Sequence, residues 1–507
     1  MSERGVKMKL SPIQEEIINT RGNLVVMASA GTGKTHTMVN KIEKEIKENK
    51  NYKVIAAITF TIKAAEEIKD RLSIDTYEHF IGTNNSFAIN EIIKPFMKDI
   101  YGRKYDIDMD TDYSIKIKDF AEGIYRIENF ATLCSYSDNK ENFIFDLANE
   151  IVRKSRACQL YLKSKYFKIY IDEYQDCDKS MHNFFMYLCD NLKIETFIVG
   201  DEKQSIYMWR GAYPEAFKSI KNKGNFKSIF MGDNFRSCKQ IQNYSNLLCD
   251  ETSHLYTPIE KLDNVLLINT CEENWCSDVM EYLDKSSTCA LLRFSNTNAQ
   301  KGAELLTDCG MDVVYIPQIP IADITTESSW IYNTLAKMFI LDKYSIYDLI
   351  SEIPSEESLS KSKLSEIRKI INNIKKSIDD AEKFKQSIKN FAQYFGYTTK
   401  DNHIEKLWNT IKDEKFHVAF DVEKYSNIAI TFHSSKGLEF EQVIVFAEDY
   451  RLQDESSIYN HYVATTRAKN KLIIIKFNNY NSNVFQTTLT QIFKKKKLNL
   501  TDVITVV

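Results

Sequence analysis

Short apolar runs alternate with longer amphipathic stretches along most of this chain. The runs predicted to form strands are Asn23–Met27, Val54–Ile58, Tyr166–Ile171, Thr196–Val199, Ser228–Met231, Val265–Ile268, Ala290–Arg293, Val313–Ile316, Ile428–Phe432, Gln442–Ala447 and Lys471–Ile475. Apolar strands that alternate with helical patterns are typical of parallel sheets covered by helices on both faces. The pattern therefore predicts an α/β fold whose strands form two sets.

Each set of strands is interrupted by a strand-poor segment. The first, at about 87–165, is predicted to be helical, and the second, at about 343–423, is rich in Lys, Ser, Glu and Ile. The isoleucines of the second segment that follow helical spacing are Ile367, Ile370, Ile371, Ile374 and Ile378. Residues at this spacing share one side of a helix, so we interpret them as a buried helix face.

Composition narrows the class of protein. The chain has 507 residues, too many for one hydrophobic core, so several domains are expected. The net charge of -3 means that a nucleic-acid partner has to be bound in a local basic groove. The 10 cysteines form no C-x-x-C pair, and no apolar run approaches membrane-spanning length. We therefore expect a cytoplasmic protein with reduced thiols and no membrane partner.

A phosphate-binding loop follows the first predicted strand. Its residues are Ala28, Ser29, Ala30, Gly31, Thr32, Gly33, Lys34 and Thr35, with Ala in place of the usual first Gly. The two glycines let backbone N–H groups approach a phosphate closely, and the following helix directs its positive end at the same anion. Lys34 is predicted to reach the β- and γ-phosphates of ATP, and the Thr35 hydroxyl to bind Mg²⁺.

Two carboxylates end the predicted strand Tyr166–Ile171. Asp172 is expected to hold Mg²⁺ as a Walker B aspartate does, and Glu173 to orient or deprotonate the attacking water. Arg236 and Arg467 are candidates for stabilising the transition state, a role worth roughly 10³–10⁵ in rate. These residues together predict hydrolysis of ATP.

The segment Gly200–Ala212 reads G-D-E-K-Q-S-I-Y-M-W-R-G-A and follows another apolar strand. The end of a parallel strand is where nucleotide phosphates bind, which places Gln204 near a nucleotide. Tyr207, Trp209 and Arg210 are the residue types that stack on single-stranded bases. The segment therefore predicts a link between a nucleotide and a nucleic acid.

These motifs, in this order from Gln14 to Lys469, resemble those of superfamily 1 helicases of the UvrD/Rep type. The resemblance implies that Gln14 reads the adenine, that Phe235 stacks on it and that Glu439 contacts the ribose. It also implies that Gln204 senses the γ-phosphate.

The same resemblance implies several contacts to DNA. They are Trp209, which would stack on a base, together with Phe60 in T-F-T-I-K-A-A, Thr83 in I-G-T-N, Tyr207 and Arg210 beside Trp209, and Thr431 and His433 in T-F-H-S-S-K-G-L-E-F. Thr431 and His433 would contact either the DNA or the machinery that couples it to ATP.

The resemblance further implies two RecA-like P-loop motor domains that bind ATP between them and move along single-stranded DNA, usually 3′ to 5′. Domain 1A is expected at residues 1–88 and 160–222, and domain 2A at 223–342 and 424–507. A helical insertion 1B is expected at 89–159, and a reduced 2B-like helical insertion at 343–423.

Three departures from the family pattern argue against highly processive unwinding. Asn84 and Asn85 replace an aromatic and a histidine of the usual G-T-F-H-S motif, and base stacking can contribute about 1–3 kcal/mol per base. The second insertion is short for a complete 2B domain. The chain also ends soon after the sixth motif.

The compact layout and stretches such as F-K-I-Y-I-D-E-Y-Q-D-C-D-K-S-M-H-N resemble the helicase-like subunits of Gabija anti-phage systems. This implies a hetero-oligomer with an OLD-family nuclease subunit, GajA-like, that cuts the DNA that this subunit senses or processes. Two alternatives stay open: a stand-alone DNA repair helicase, and a DNA-binding regulator of a nuclease that is switched by nucleotide without processive unwinding.

Overall fold

The computed structural model describes residues 9–206, 211–324, 326, 328–353 and 361–507. The strands are β1 (Leu24–Ala28), β2 (Val54–Thr59), β3 (Phe80–Thr83), β4 (Asp110–Ile117), β5 (Thr132–Tyr136), β6 (Tyr166–Ile171), β7 (Glu195–Gly200), β8 (Lys227–Met231), β9 (Val265–Asn269), β10 (Cys289–Arg293), β11 (Val314–Tyr315), β12 (Asn427–Thr431), β13 (Phe440–Phe446), β14 (Ala468–Lys476) and β15 (Thr505–Val506). Each strand predicted from the sequence overlaps one of these.

Helices fill the intervals between the strands. They are α1 (Pro12–Asn19), α2 (Lys34–Glu48), α3 (Ile62–Arg71), α4 (Asn84–Ala88), α5 (Lys94–Tyr101), α6 (Phe120–Phe130), α7 (Phe143–Lys154), α8 (Arg156–Lys165), α9 (Lys179–Asp190), α10 (Pro214–Lys221), α11 (Lys239–Leu247), α12 (Trp275–Met280), α13 (Asn296–Asp308), α14 (Ser329–Ile340), α15 (Ile346–Ser351), α16 (Lys361–Ser377), α17 (Ala381–Tyr394), α18 (Asp401–Lys412), α19 (Glu455–Thr465) and α20 (Tyr480–Lys495). Within the described ranges, no helix has the length and apolar character that a membrane crossing needs.

The first sheet has six parallel strands in the order β3-β2-β6-β7-β1-β8. All residues of β2 are buried, because apolar cores lie on both faces of the sheet. Strands buried on both faces need apolar side chains throughout, which explains the continuous apolar runs in the sequence. The carboxyl ends of β1, β6 and β7 meet at one edge, where such sheets bind ligands.

The second sheet has seven parallel strands in the order β11-β12-β10-β13-β14-β9-β15. We call the first sheet with its helices the first unit, and the second sheet with its helices the second unit. Their parallel strands and covering helices confirm the predicted α/β class. The predicted start of domain 2A at residue 223 is wrong for β8, because this strand pairs with β1 of the first sheet. An apolar run does not specify its neighbour in a sheet.

The segment 89–159 packs into the core of the first unit. Ile92, Leu133 and Phe145 share one apolar cluster with Ile58 and Ile169 of the first sheet. The prediction that this segment is helical is only partly correct, because β4 and β5 form a two-stranded parallel sheet within it. The β4 sequence D-T-D-Y-S-I-K-I mixes charged and apolar residues, so it gives a weak strand signal.

The second helical segment has an apolar core of its own, built by α14 to α18. Ile367, Ile371 and Ile374 are buried on α16, and Ile370 is half-buried against the same core, which confirms the predicted helix face for these four. Ile378 also packs on this core but follows the end of α16 at Ser377. Helix α14 contributes Leu335 and other residues to this core, so the helical unit begins before the predicted boundary at residue 343. No feature of the sequence distinguished α14 from the helices that cover the second sheet.

Candidate nucleotide cleft and nucleic-acid face

The P-loop lies between β1 and α2, as predicted. Strand β1 ends at Ala28, and α2 begins at Lys34. Gly31 and Gly33 have φ angles of +74° and +78°, in the left-handed region that favours glycine. Lys34 and Thr35, the first two residues of α2, line a cleft. The unpaired N–H groups at the start of a helix can bind an anion there.

The cleft has a volume of about 920 Å³ and lies between the first and second units. The predicted nucleotide-site residues that line it are Gln14, Gly31, Thr32, Gly33, Lys34, Thr35, Asp172, Glu173, Gln204, Phe235, Arg236, Glu439 and Arg467. The other three P-loop residues, Ala28, Ser29 and Ala30, are buried behind it. Folding thus gathers residues from both ends of the sequence around one cavity.

Asp172 and Glu173 follow β6 and face Lys34. The Lys34 Nζ lies 3.7 Å from Glu173 Oε1, and the Glu173 N–H donates to Asp172 Oδ1 at 2.8 Å. Burial and the adjacent Glu173 carboxylate raise the pKa of Asp172. For Glu173, burial is outweighed by Lys34 and Lys436, which lower its pKa. Glu173 is therefore ionised at neutral pH, as a proton acceptor must be.

The backbone at Glu173 is unusual. Its φ is +51°, a conformation that residues other than glycine seldom adopt. The side chain is held by Gln175, whose Nε2 donates to Glu173 Oε2. Strained residues of this kind cluster at functional sites, where the surrounding contacts hold them in place.

Gln204 is held by a residue that the sequence analysis did not single out. Its Nε2 donates to Asp201 Oδ2 at 2.9 Å, and both side chains are buried. The ammonium of Lys203 lies 2.7 Å from Asp201 Oδ1. Burial is outweighed by Lys203 and Lys34, which lower the pKa of Asp201. Gln204 thus reaches the cleft from a buried, ionised anchor.

Cations from the other side of the cleft face these carboxylates. Arg467 is 2% exposed, and its guanidinium donates to the carbonyl oxygens of Val463 at 3.0 Å and Leu438 at 3.4 Å. Burial and nearby Arg236 lower the pKa of Arg467 to about 10, which leaves it protonated at neutral pH. Arg467 therefore lines the cavity as a charged group, and Arg236 lines the same cavity.

Arg236 and Glu439 contact each other. The Arg236 Nε donates to Glu439 Oε1 at 2.7 Å, and its Nη1 donates to the Thr466 carbonyl at 3.1 Å. Both residues line the cavity beside Phe235, which is 59% exposed. The predicted ribose contact and one predicted arginine thus form an ion pair.

Lys436 is a cleft residue that the sequence analysis missed. Its Nζ lies 2.5 Å from Asp176 Oδ2 and 3.5 Å from Glu173 Oε2, so it joins the second unit to the first. It lies in the S-S-K-G stretch of the fifth motif, beside residues that were assigned to DNA. An ion pair across 260 positions of sequence has no local signal that could have revealed it.

Gln14 contacts the P-loop at Thr32. Its Oε1 accepts from the Ser11 N–H at 2.9 Å, and its Nε2 donates to the Thr32 carbonyl at 3.2 Å. A Cβ added at Gly33 would lie 3.1 Å from that amide nitrogen. The Gln14 amide is therefore fixed against the loop and oriented by the N-terminal turn of α1.

In the described part of the chain, no group of three or more His, Cys, Asp or Glu side chains could hold a metal ion. Thr35 and Asp172 line the same cavity and supply one hydroxyl and one carboxylate. Mg²⁺ is usually bound by one or two carboxylates together with phosphate oxygens and water. The donor set therefore fits Mg²⁺ that arrives with a nucleotide.

Comparison with known proteins identifies the family. The model of the UvrD/REP helicase N-terminal domain matches residues 10–146 and 127–225, and that of the UvrD-like helicase C-terminal domain matches residues 428–475. The chain is 40% identical to the Gabija protein GajB of Bacillus cereus over 488 residues, which cover 94% of this chain and 98% of that protein. This chain belongs to the UvrD/Rep helicase family and to the GajB family.

More distant helicases are similar over different shares of their length. The ATP-dependent DNA helicase Rep of Buchnera aphidicola is 24% identical, with 90% of this chain and 91% of that protein covered. DNA helicase II of Haemophilus influenzae is 26% identical, with 58% and 49% covered, so the chain spans about half of its length. As a UvrD/Rep-type enzyme, this protein is an ATP-dependent DNA helicase.

Candidate DNA contacts of this helicase lie at strand ends. Phe60 follows β2 and is half-buried, and Thr83 ends β3 and caps α4 by accepting from the Ser86 N–H at 3.2 Å. Thr431 ends β12 and donates to Ser434 Oγ at 3.0 Å. The His433 ring lies 3.8 Å from that of Phe432, centroid to centroid, and lines the cleft.

The remaining candidate DNA contacts, Tyr207, Trp209 and Arg210, lie outside the described residues. The two asparagines that depart from the helicase pattern are described. Asn84 is 5% exposed and its Nδ2 donates to Met181 Sδ at 3.2 Å, and Asn85 Nδ2 donates to the Tyr113 hydroxyl at 3.1 Å. Both therefore bind neighbours within the first unit and line the same cavity.

Proposed function

We propose that this helicase hydrolyses ATP in the cleft between its two units and uses the cycle to move along single-stranded or end-containing DNA, 3′ to 5′. One observation carries the proposal: Lys34 faces Glu173 on one wall, while Arg467 and Arg236 line the other. This arrangement supplies a phosphate-binding cation, a carboxylate base and further cations for the charge that develops on the transferred phosphoryl group.

The first wall would bind the triphosphate and activate water. Lys34 would bind the β- and γ-phosphates with the P-loop amides, and Gln204 would sense the γ-phosphate. Glu173 would orient the attacking water and accept its proton. Thr35 and Asp172 would hold Mg²⁺, which neutralises phosphate charge when bound.

The base and sugar would bind at the edge of the cleft. Gln14, whose amide is fixed beside the P-loop, would read the adenine. The exposed ring of Phe235 is available for stacking, and Glu439 would contact the ribose. Arg236 would exchange its ion pair with Glu439 for contacts to phosphate.

Strand-end residues would bind the DNA backbone and bases. Phe60 and Thr83 of the first unit, and Thr431 and His433 of the second, are the described candidates. Tyr207, Trp209 and Arg210 remain proposals from the sequence motif alone. Contacts from both units would let a change in the cleft move one set of contacts relative to the other.

We further propose that the helicase works in a Gabija-type anti-phage complex. The likeness to GajB over nearly the whole of both chains supports this role. The partner would be a GajA-like OLD-family nuclease in a hetero-oligomer, and the helicase would sense or process phage DNA for it.

Turnover of ATP with and without a single-stranded oligonucleotide tests the catalytic proposal. We expect stimulation by DNA, and turnover at background in Glu173→Gln, because the amide cannot accept a proton. Glu304→Gln is the matched control, since Glu304 is exposed on α13 and distant from the cleft residues in sequence. Background turnover of the parent with every DNA tried would contradict the proposal.

Co-expression with a GajA-like nuclease, followed by mass measurement of the purified protein, tests the partner. A hetero-oligomer is expected. Efficient unwinding of a forked duplex by the helicase alone would favour the stand-alone repair role. Full phage defence by the Glu173→Gln variant in a plaque assay would favour a nucleotide-switched regulator.

A further inference from the structure

A buried tyrosine hydroxyl connects the two walls of the cleft. Tyr462 lies on α19 of the second unit and is 1% exposed. Its hydroxyl accepts from the P-loop N–H of Ala30 at 3.1 Å and donates to Asp201 Oδ2 at 3.1 Å. One oxygen of the second unit therefore contacts two separate elements of the first.

The acceptor of this hydroxyl is also the anchor of Gln204. Asp201 Oδ2 accepts from Gln204 Nε2 at 2.9 Å as well as from Tyr462. Lys203 holds the other carboxylate oxygen at 2.7 Å, and its ammonium lies 5.2 Å from the centre of the Tyr462 ring. Asp201 is thus fixed as a carboxylate whose second oxygen is shared between Tyr462 and Gln204.

The same anchor reaches the candidate base. The Asp201 N–H donates to Gln175 Oε1 at 3.0 Å, and Gln175 Nε2 donates to Glu173. A continuous set of hydrogen bonds therefore runs from the second unit through Asp201 to both Gln204 and Glu173. Removing one member of a buried hydrogen-bond network leaves its partners unsatisfied, so the remaining side chains are held less firmly in place.

We propose that Tyr462 is a positioning residue that couples the contact between the two units to the placement of Gln204 in the ATP site. When the second unit engages the P-loop, its hydroxyl fixes Asp201, and Asp201 in turn fixes the amide of Gln204. When the units separate, Asp201 loses one donor, and Gln204 is no longer held in the same orientation. This inference rests on the proposed role of Gln204.

The test is Tyr462→Phe, which removes the hydroxyl and keeps the ring beside Lys203. We expect kcat for DNA-stimulated ATP turnover to fall about 10-fold while the KM for ATP changes less than about twofold, since orientation and not binding is lost. Tyr450→Phe is the matched control. Tyr450 is also 1% exposed in the second unit, and its hydroxyl has no hydrogen-bond partner among the described residues.

A double-mutant cycle with Gln204→Ala separates the relay from a general structural effect. If Tyr462 acts through Gln204, Tyr462→Phe should have little further effect on kcat once Gln204 is alanine. An undiminished effect in that background would overturn the inference. A normal kcat in Tyr462→Phe with a reduced kcat in Gln204→Ala would also overturn it, yet would leave the proposed sensor in place.

Normal turnover in Gln204→Ala would instead contradict the proposed role of Gln204, and this inference with it. Hydrogen exchange at the Ala30 amide gives a readout that does not depend on turnover. We expect faster exchange in Tyr462→Phe than in Tyr450→Phe, because the Ala30 N–H loses its acceptor. Equal exchange in the two variants would overturn the inference.

Discussion

The two units are built alike but contribute different chemistry to the cleft. Each is a parallel sheet covered by helices. The first unit contributes Lys34, the paired carboxylates and Gln204, which all lie in segments that follow strands of one sheet. The second contributes Lys436 and Arg467. Lys436 lies in a turn and is held by the Asp176 carboxylate, and Arg467 follows α19 and is held by the Val463 carbonyl oxygen.

This difference indicates a division of labour between the walls. Neighbouring strands position Lys34 and the paired carboxylates whether or not the second unit is in contact with them, whereas Gln204 would depend on that contact through Tyr462 and Asp201. The second wall is in place only when the units meet. Its cations can therefore stabilise charge in the cleft only when the two units are in contact. Nucleotide binding should therefore depend mainly on the first wall, and rate on both.

The largest effect should come from the first wall. Lys34→Ala is expected to reduce ATP turnover to background and to weaken nucleotide binding strongly, because Lys34 is the cation at the start of α2, where the phosphates would bind. Binding of a fluorescent ATP analogue and steady-state turnover measure the two effects. Lys47→Ala, on the same helix with a side chain 62% exposed, is the control and should resemble the parent.

A second-wall variant should break the link between binding and rate. Arg467→Ala is expected to lower turnover roughly 10³-fold, as for an arginine that stabilises the transition state. Affinity for the same ATP analogue should change less than about tenfold, since the P-loop is intact. Arg451→Ala, at an exposed position, is the control. A loss of affinity equal to that of Lys34→Ala would contradict the division of labour.

The sequence predicted the first wall better than the second, and the reason is physical. Lys34 and Glu173 each follow an apolar strand within a short motif, so local sequence contains both the position and the chemistry. The contacts of Tyr462 with Ala30 and Asp201 join residues more than 250 positions apart. Such contacts depend on how two sheets pack, which no local pattern records.

The fold shows the same limit. Apolar runs located all strands of the two sheets except the short edge strands β3 and β15, and they did not show that β8 pairs with β1. They also missed β4, whose charged residues obscure the strand pattern. The apolar pattern therefore predicts strands well where both faces of the sheet are buried, but it predicts poorly which strands pair.

A glycine substitution can sharpen the comparison at the point where the walls touch. Gly31 has φ +74°, and a Cβ there would lie 2.6 Å from Asn234 Oδ1 and 2.8 Å from Arg236 Cβ. Gly31→Ala should displace Arg236 and lower turnover about 10-fold, in addition to the roughly 1–2 kcal/mol cost of a left-handed alanine.

Gly22→Ala is the matched control for that substitution. Gly22 has φ +80°, yet no atom of the described residues lies within 4 Å of the position that a Cβ would take, so the alanine there adds only backbone strain. We expect a small fall in melting temperature and normal turnover. Equal loss of turnover in both variants would show that strain, and not contact between the walls, explains the effect of Gly31→Ala.

The last expected effect is on stability and concerns the support of the second wall. His461, beside Tyr462 on α19, is fully buried, with its Nε2 2.7 Å from the Tyr244 hydroxyl. Burial lowers the pKa of His461 to about 3, from an ordinary value of 6.5. Because the folded-state pKa is depressed, the contribution of His461 to stability is present above the unfolded-state pKa and is lost as pH falls toward the folded-state value.

Between about pH 7 and pH 5 the loss of unfolding free energy should be roughly 2 kcal/mol. Urea denaturation at both pH values measures it: His461→Gln should flatten the dependence, whereas His254→Gln, at an exposed position, should retain it. An unchanged dependence in His461→Gln would show that protonation of this histidine does not weaken the second unit.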